Sequence, residues 1–261
     1  MKHLAIVMPA YNEADGLPGF LEEIATNVRP LADEVSIVVV NDRSTDDTAS
    51  VLGDLSAKIP EVVPILAPRN RGHGPTALEA YREGLAQQPD AIVHVDGDGQ
   101  FLGQDFPRLV AALLEGNIDV VHGVRHGRTD PWFRQVLTSL VGLVVALTAG
   151  RRVPDVNTPL RAYRPAALRR LLEVVPEEAL VPHVHFSLAE KRLGLNVKYA
   201  RVHSIPRRGA TASGTMWGEQ TRQPLLPPKR LRRFVVAAAA ELWKVSLRPG
   251  APVRVAARAM R

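Results

Sequence analysis

Four short apolar runs alternate with helix-like segments over the first hundred residues, and this rhythm limits what the chain can fold into. Residues 4–8, 35–40, 62–66 and 91–95 read as strands. The second is almost continuously β-branched, as a strand buried on both faces should be. Between them, residues 15–27, a segment ending at Leu55, and a segment from Thr76 to Leu85 read as helices, the last capped by Thr76. Strand–helix alternation of this kind predicts a single doubly wound, mostly parallel α/β sheet of Rossmann-like design. In such sheets ligands sit beyond the carboxyl ends of the strands. Polar clusters fall at three of those ends: Pro9 to Glu13, Asn41 to Asp47 and Asp96 to Gln100. They should converge on one crevice.

The third cluster, Asp96-Gly97-Asp98-Gly99-Gln100, is the most informative. Two carboxylates two residues apart at the mouth of a sheet repel each other and lose hydration, unless a cation sits there. Asp-x-Asp is therefore a candidate Mg²⁺ or Mn²⁺ site, with Gln100 offering a neutral oxygen, and Gly97 and Gly99 are expected to leave room for a bulky ligand. As a bare pattern it is weak, because Asp/Gly loops are also ordinary turns. Gly72-x-Gly74-x-x-Ala77 resembles a dinucleotide fingerprint, but it follows the third strand rather than the first and leaves Asp98 unexplained.

Further on, residues 106–115 and 165–174 read as helices, and 119–123 and 197–202 as strands. Residues 136–150 carry no charge but are short for a membrane span, so a buried or interfacial helix is expected. His183 and His185 alternate as on one face of a strand. No third ligand of matching spacing accompanies them, and hydrogen-bonded histidines are the simpler reading.

The 261 residues include no cysteine, which excludes a disulfide framework and thiolate zinc sites and fits a cytosolic compartment. The N-terminus runs straight into a strand, with no secretory signal expected ahead of it. The net charge of +6 is uneven: from Arg201 to Arg261 there are 13 Lys/Arg against 2 Asp/Glu. This divides the chain into a main domain, 1–212, and a basic tail, 213–261. The helix expected from Lys229, with Lys-Arg-Leu-Arg-Arg before an aromatic-apolar body, would either lie on an anionic membrane surface or pack back on the domain. No recognised nucleic-acid module accompanies the charge, so no nucleic-acid partner is expected.

Taken in order, Val7-Met8-Pro9-Ala10-Tyr11-Asn12-Glu13, Val40-Asn41-Asp42-Arg43-Ser44-Thr45-Asp46, Asn70-Arg71-Gly72-His73-Gly74, Asp96 to Gln100, Gly123-Val124-Arg125 and Asp155 to Arg164 resemble family 2 glycosyltransferases of the GT-A fold. Within that family the likeness is to polyprenyl-phosphate sugar transferases of the dolichyl-phosphate mannosyltransferase type. The resemblance implies a nucleotide-sugar set of Pro9, Tyr11, Asn12, Glu13, Asp42 and Asp96, and a Mg²⁺ or Mn²⁺ set of Asp96, Asp98 and Gln100. It implies acceptor-phosphate contacts from Arg125, Arg134, Thr138 and Arg208, and a catalytic group of Asp98, Arg125 and Arg208. The implied reaction is inverting transfer from a GDP- or UDP-sugar to a polyprenyl phosphate, by a peripheral enzyme on the inner membrane face. Asn41 stands where the family usually has Asp, and His73 where it usually has Lys. The alternative is transfer to a soluble hydroxyl, which needs a base from Glu178, His183 or Glu190.

Overall fold

The computed structural model describes residues 1–126, 142, 145–147, 153–209 and 229–259. Seven strands form one sheet in the order β3-β2-β1-β4-β6-β5-β7. They are β1 (His3–Ala10), β2 (Glu34–Asn41), β3 (Val62–Leu66), β4 (Ala91–His94), β5 (Val120–His126), β6 (Arg161–Tyr163) and β7 (Val197–His203). All neighbours pair in parallel except β6, which runs antiparallel to both β4 and β5. The helices are α1 (Leu17–Val28), α2 (Thr48–Lys58), α3 (His73–Ala86), α4 (Asp105–Leu114), α5 (Pro165–Val174), α6 (Pro182–Arg192), α7 (Lys229–Leu242) and α8 (Pro252–Ala259); a π-helical turn, Trp243–Leu247, follows α7.

The period-two alternation of β1 sorts the core into two layers. Leu4, Ile6 and Met8 face Phe20, Leu21, Ile24, Phe106 and Leu109 of α1 and α4. Ala5 and Val7 face the other way, toward Tyr81, Leu168, Leu171 and Phe186 of α3, α5 and α6. Each fully buried Leu, Ile or Phe contributes about 1.5–3 kcal/mol of transfer free energy, so β1 anchors both layers. It also lies where the strand order reverses, between β2 and β4. That switch point opens a crevice at its carboxyl end.

Several sequence expectations change. The third helix starts at His73, so Thr76 lies inside its first turn and its hydroxyl donates to the Gly72 carbonyl at 2.8 Å. His183 and His185 sit on α6, not on a strand, and residues two apart on a helix face different ways. His183 turns to Tyr81, whereas His185 meets Ser246 and Glu241. The polar stretch before α5 contains the short antiparallel strand β6. The tail helix packs back: Leu231 and Leu242 are buried, and Leu242 joins Val156, Val184 and Leu188 in a third apolar cluster. Most of the uncharged stretch 136–150 lies outside the described residues. Among the described residues, no helix is long and apolar enough to cross a membrane.

Candidate active site

The three polar clusters meet because the register of the sheet places their strand ends side by side. Ala10 pairs with Asn41, and beyond the ladder the Asp42 N–H donates to the Ala10 carbonyl at 2.9 Å. On the other side Val95 N–H donates to Val7 and Gly97 N–H to Pro9, both at 3.1 Å. The acid loop thus runs alongside the end of β1.

Asn12, at φ 56°, turns the first loop. Its side-chain oxygen accepts from Thr45 N–H at 2.9 Å and its own N–H donates to Ser44 Oγ at 3.0 Å. Asn41 accepts from both the N–H and the hydroxyl of Ser44, work that needs only an amide oxygen and no charge. Asp42 is buried and its two oxygens accept the N–H groups of Arg71 and Gly72 at 2.7 and 2.8 Å, which braces the loop leading into α3. Asn12 and Asp42 therefore shape the crevice walls. Pro9 lends its carbonyl to Gly97, and Tyr11 is half-buried beside it.

The floor of the crevice is acidic. Asp96 Oδ1 is buried with no hydrogen-bond partner, and His73 Nε2 lies 3.5 Å from it. Burial and the charge of Asp96 push the Asp98 carboxyl up to about 6, although Asp98 Oδ1 accepts the Gln100 N–H at 3.2 Å. Burial, then Asp98 and Asp96, push Glu13 up to about 8; Arg207 opposes the rise through a 2.6 Å ion pair without cancelling it. Three carboxyls crowd together with an orphaned oxygen among them, an arrangement that fits a hard divalent cation. Among the described residues, no cluster of three or more His, Asp or Glu has metal-binding geometry. The protein's own carboxylate donors would thus be Asp96 and Asp98, leaving positions for ligand oxygens. Gln100, the third residue of that set, adjoins Asp98, and its carbonyl accepts Ile205 N–H at 3.1 Å.

The two glycines of this loop do not leave space for a ligand. A Cβ on Gly97 would lie 2.9 Å from the Pro9 carbonyl oxygen. Gly99, at φ +66°, would meet Arg208 Cδ at 2.7 Å. Both are required by the chain's own packing.

The arginines divide by role. Arg208 turns away from the acids: its guanidinium pairs with Glu23 at 2.5 Å, donates to the Gly99 and Phe101 carbonyls and lies 5.2 Å from the centre of the Phe20 ring. Arg207 instead enters the crevice at Glu13, with its Nε buried and unpartnered. Arg125 grips Asp155 through two bonds, 2.7 and 3.0 Å, and reaches the Asn157 carbonyl. Arg134 and Thr138 lie outside the described residues. Arg207 was not singled out from sequence, where nothing distinguishes two adjacent arginines. In an extended segment neighbouring side chains point to opposite sides, and only the bonds of Ile205 to Gln100 and Arg208 N–H to Asp98 fix which one faces in. His73 was noted only as a departure from the usual Lys, and it stands over Asp96 at the start of α3.

The base candidates for a hydroxyl acceptor are engaged elsewhere. Glu190 is fully buried between His122 and Arg161, at 3.0 and 3.3 Å, and these partners hold its carboxyl below the usual range against the cost of burial. His183 is buried against Tyr81 and His94, and burial keeps it neutral. Glu178 is exposed and pairs with Arg71 at 2.8 Å.

Residues 5–174 match the family model Glycosyl transferase family 2. Over 199 residues the chain is 29% identical to the undecaprenyl-phosphate 4-deoxy-4-formamido-L-arabinose transferase of Proteus mirabilis (strain HI4320), covering 76% of this chain and 60% of that protein. The fold is also similar to glucosyl-3-phosphoglycerate synthase from Mycobacterium tuberculosis. Its complex with Mn²⁺ and UDP-glucose gives a TM-score of 0.64 at 21% identity, covering 93% of this chain and 78% of that one. Its complex with Mn²⁺, UDP and phosphoglyceric acid gives 0.65 at 21%, with the same coverage.

Proposed function

The chain belongs to glycosyl transferase family 2, and from that premise we propose that it moves a sugar from a GDP- or UDP-sugar to a polyprenyl phosphate with inversion. The observation that carries this reading is the crowded acid floor, where Asp96 keeps a buried oxygen without a partner beside Asp98. A divalent ion, Mg²⁺ or Mn²⁺, would be held by Asp96 and Asp98 with Gln100 alongside, and when bound would stabilise charge developing on the leaving diphosphate. The solved relatives bind Mn²⁺ with UDP, which supports a metal here.

In the proposed reaction an acceptor phosphate oxygen attacks the anomeric carbon, and the bond to the diphosphate breaks with its electron pair leaving on the nucleoside diphosphate. A phosphate acceptor is already an anion and needs no base, only cations to hold it. In this reading Arg207, which among the described residues reaches Glu13 in the crevice, supplies that charge, while Arg125 pairs with Asp155 and Arg208 with Glu23. The occupied state of Glu178, His183 and Glu190 weighs against a hydroxyl acceptor. The Proteus mirabilis relative is named for an undecaprenyl-phosphate acceptor, which supports the lipid class; this chain matches 60% of its length. A lipid acceptor also requires a working position at a membrane surface.

The test incubates purified protein with Mn²⁺ or Mg²⁺ and radiolabelled GDP- and UDP-sugars, with and without polyprenyl phosphate, then splits the mixture between butanol and water. Organic-phase label that requires both lipid and metal is expected. Metal-dependent donor turnover without organic-phase label would overturn the lipid acceptor.

A further inference from the structure

The tail helix has two working faces, and the fold uses one of them. On the inner side Leu231 and Leu242 are 4% and 8% exposed, and both oxygens of Glu241 lie 3.0 Å from the Leu180 N–H. His185 bonds Ser246 at 2.7 Å and Glu241 at 2.9 Å, and Arg192 donates to the Ser246 carbonyl at 2.8 Å. These contacts fix the rotation of α7 and set its other side outward. There Lys229, Arg232, Arg233, Val236, Ala240 and Trp243 form one stripe, at helical spacings of three and four. Val236 is 69% and Trp243 57% exposed.

We infer that this stripe docks on an anionic lipid bilayer, with Arg232 and Arg233 at the headgroups and Val236 and Trp243 in the interfacial layer. Two observations favour a lipid surface. Lys229, Arg230, Arg232 and Arg233 crowd the start of α7, whose first turn holds no acid. Cations there oppose the helix dipole, so the helix itself gains nothing from them and an external anion is their natural complement. The same stripe then turns apolar and ends in a tryptophan, which suits a bilayer interface and not a nucleic-acid backbone. A second copy of the chain would bring like charges together. The inner face also links the stripe to the crevice. Leu180, held by Glu241, packs its carbonyl against Gly74, next to His73 over Asp96.

This deepens the lipid-phosphate reading, but vesicles free of polyprenyl phosphate test it separately. The 261-residue protein is sedimented with phosphatidylcholine vesicles and with vesicles containing roughly 30% phosphatidylglycerol. Wild type should bind the anionic vesicles and release in high salt. The double variant Arg232→Glu/Arg233→Glu, whose new acids suit the helix dipole, should lose about tenfold or more of that binding. Val236→Asp should also weaken it, with circular dichroism and Tm unchanged in both variants. Failure of wild type to prefer anionic vesicles, or wild-type binding by the double variant, overturns the proposal. So does a finding by analytical ultracentrifugation that Val236→Asp converts an oligomer into a monomer, which would make the stripe a subunit contact.

Discussion

Arg207 meets Glu13 across the crevice at 2.6 Å, while Arg208, one residue on, meets Glu23 at 2.5 Å outside it. The two contacts give adjacent arginines opposite duties. Arg207 is a counter-charge to a cluster of three carboxyls. Arg208 ties the segment after β7 to the acid loop through the Gly99 and Phe101 carbonyls.

Arg207→Ala and Arg208→Ala should therefore fail in different ways. If Arg207 holds the acceptor phosphate as proposed, removing it should lower kcat/KM about a hundredfold, the scale for losing one transition-state charge contact. Its Tm should stay near wild type, because Glu13, pushed up to about 8 even with Arg207 beside it, already holds its proton at neutral pH and is not left as a bare buried charge. Removing Arg208 breaks a Glu23 ion pair and two carbonyl bonds and should cost about 1–3 kcal/mol in urea unfolding. Steady-state kinetics and urea titration of both variants check this. Equal losses of stability in the two would refute the division of roles.

Asp98→Ala should abolish turnover and metal binding together. Wild type heated with Mn²⁺ and nucleoside diphosphate should gain Tm with ligand concentration, as any ligand selective for the native state produces. The variant should show no Mn²⁺-dependent gain. It removes one of three crowded carboxyls, so its metal-free Tm should equal or exceed that of wild type. Full activity in Asp98→Ala would remove the metal role from this loop.

The strands and the acids were legible because their physics is local. Runs such as Val38, Val39 and Val40 need no distant partner to read as buried strand, and Asp96 with Asp98 at a strand end is a like-charge pair that can be read from neighbouring residues alone. The features that escaped depend on remote partners. Arg161 opens β6 although it is charged, because Glu190, Ser187 and the Val156 and Thr158 carbonyls satisfy it inside the protein. His183 and His185 looked strand-like because their alternation hid a helix whose residues 182–190 are all buried, leaving no amphipathic period to read. Gly97 and Gly99 looked like ligand clearance, whereas the Pro9 carbonyl and the Arg208 stem fill that space.

Gly74→Ala should be a stability variant despite its place in a glycine loop near the site. A Cβ there would lie 2.2 Å from the Ala179 carbonyl oxygen and 2.7 Å from that of Leu180, both backbone atoms that cannot rotate away. The start of α3 would have to lift from the loop before α6, at a cost of about 1–3 kcal/mol. Gly19→Ala, on exposed α1 surface with nothing within 4 Å, is the matched control and should stabilise by about 0.5–1 kcal/mol. Urea titration of both measures the contrast, and a Gly74→Ala variant as stable as wild type would show that α3 is not packed against residues 179–180.

Acid should unfold the protein early, and the buried histidines explain why. His94 is fully buried, donates from Nδ1 to the Pro159 carbonyl at 2.7 Å, and burial pushes it down to about 4. Burial also lowers His122 and, further, His183. Each is depressed in the folded state, so below pH 6.5 the unfolded chain binds more protons than the native one. These histidines therefore make stability rise with pH from about 4 to 6.5. Asp98 and Glu13, raised to about 6 and about 8, act in the opposite direction, so the rise is partly offset and stability falls between about pH 6.5 and 8 as Glu13 loses its proton. The slope for each such group approaches about 1.4 kcal/mol per pH unit. Glu190, held low by His122 and Arg161, adds in the same direction as the histidines below its usual value near 4.5, where the unfolded carboxylate takes up its proton first. Urea titrations at intervals from pH 4 to 8 should show the rise and the later fall. His94→Asn should remove about one proton of slope between pH 4 and 6.5 whatever it does to the absolute stability. An unchanged slope in that variant would mean that His94 is protonated in the folded protein, and that its stacking on Tyr81 at 4.6 Å holds a cation against an aromatic face.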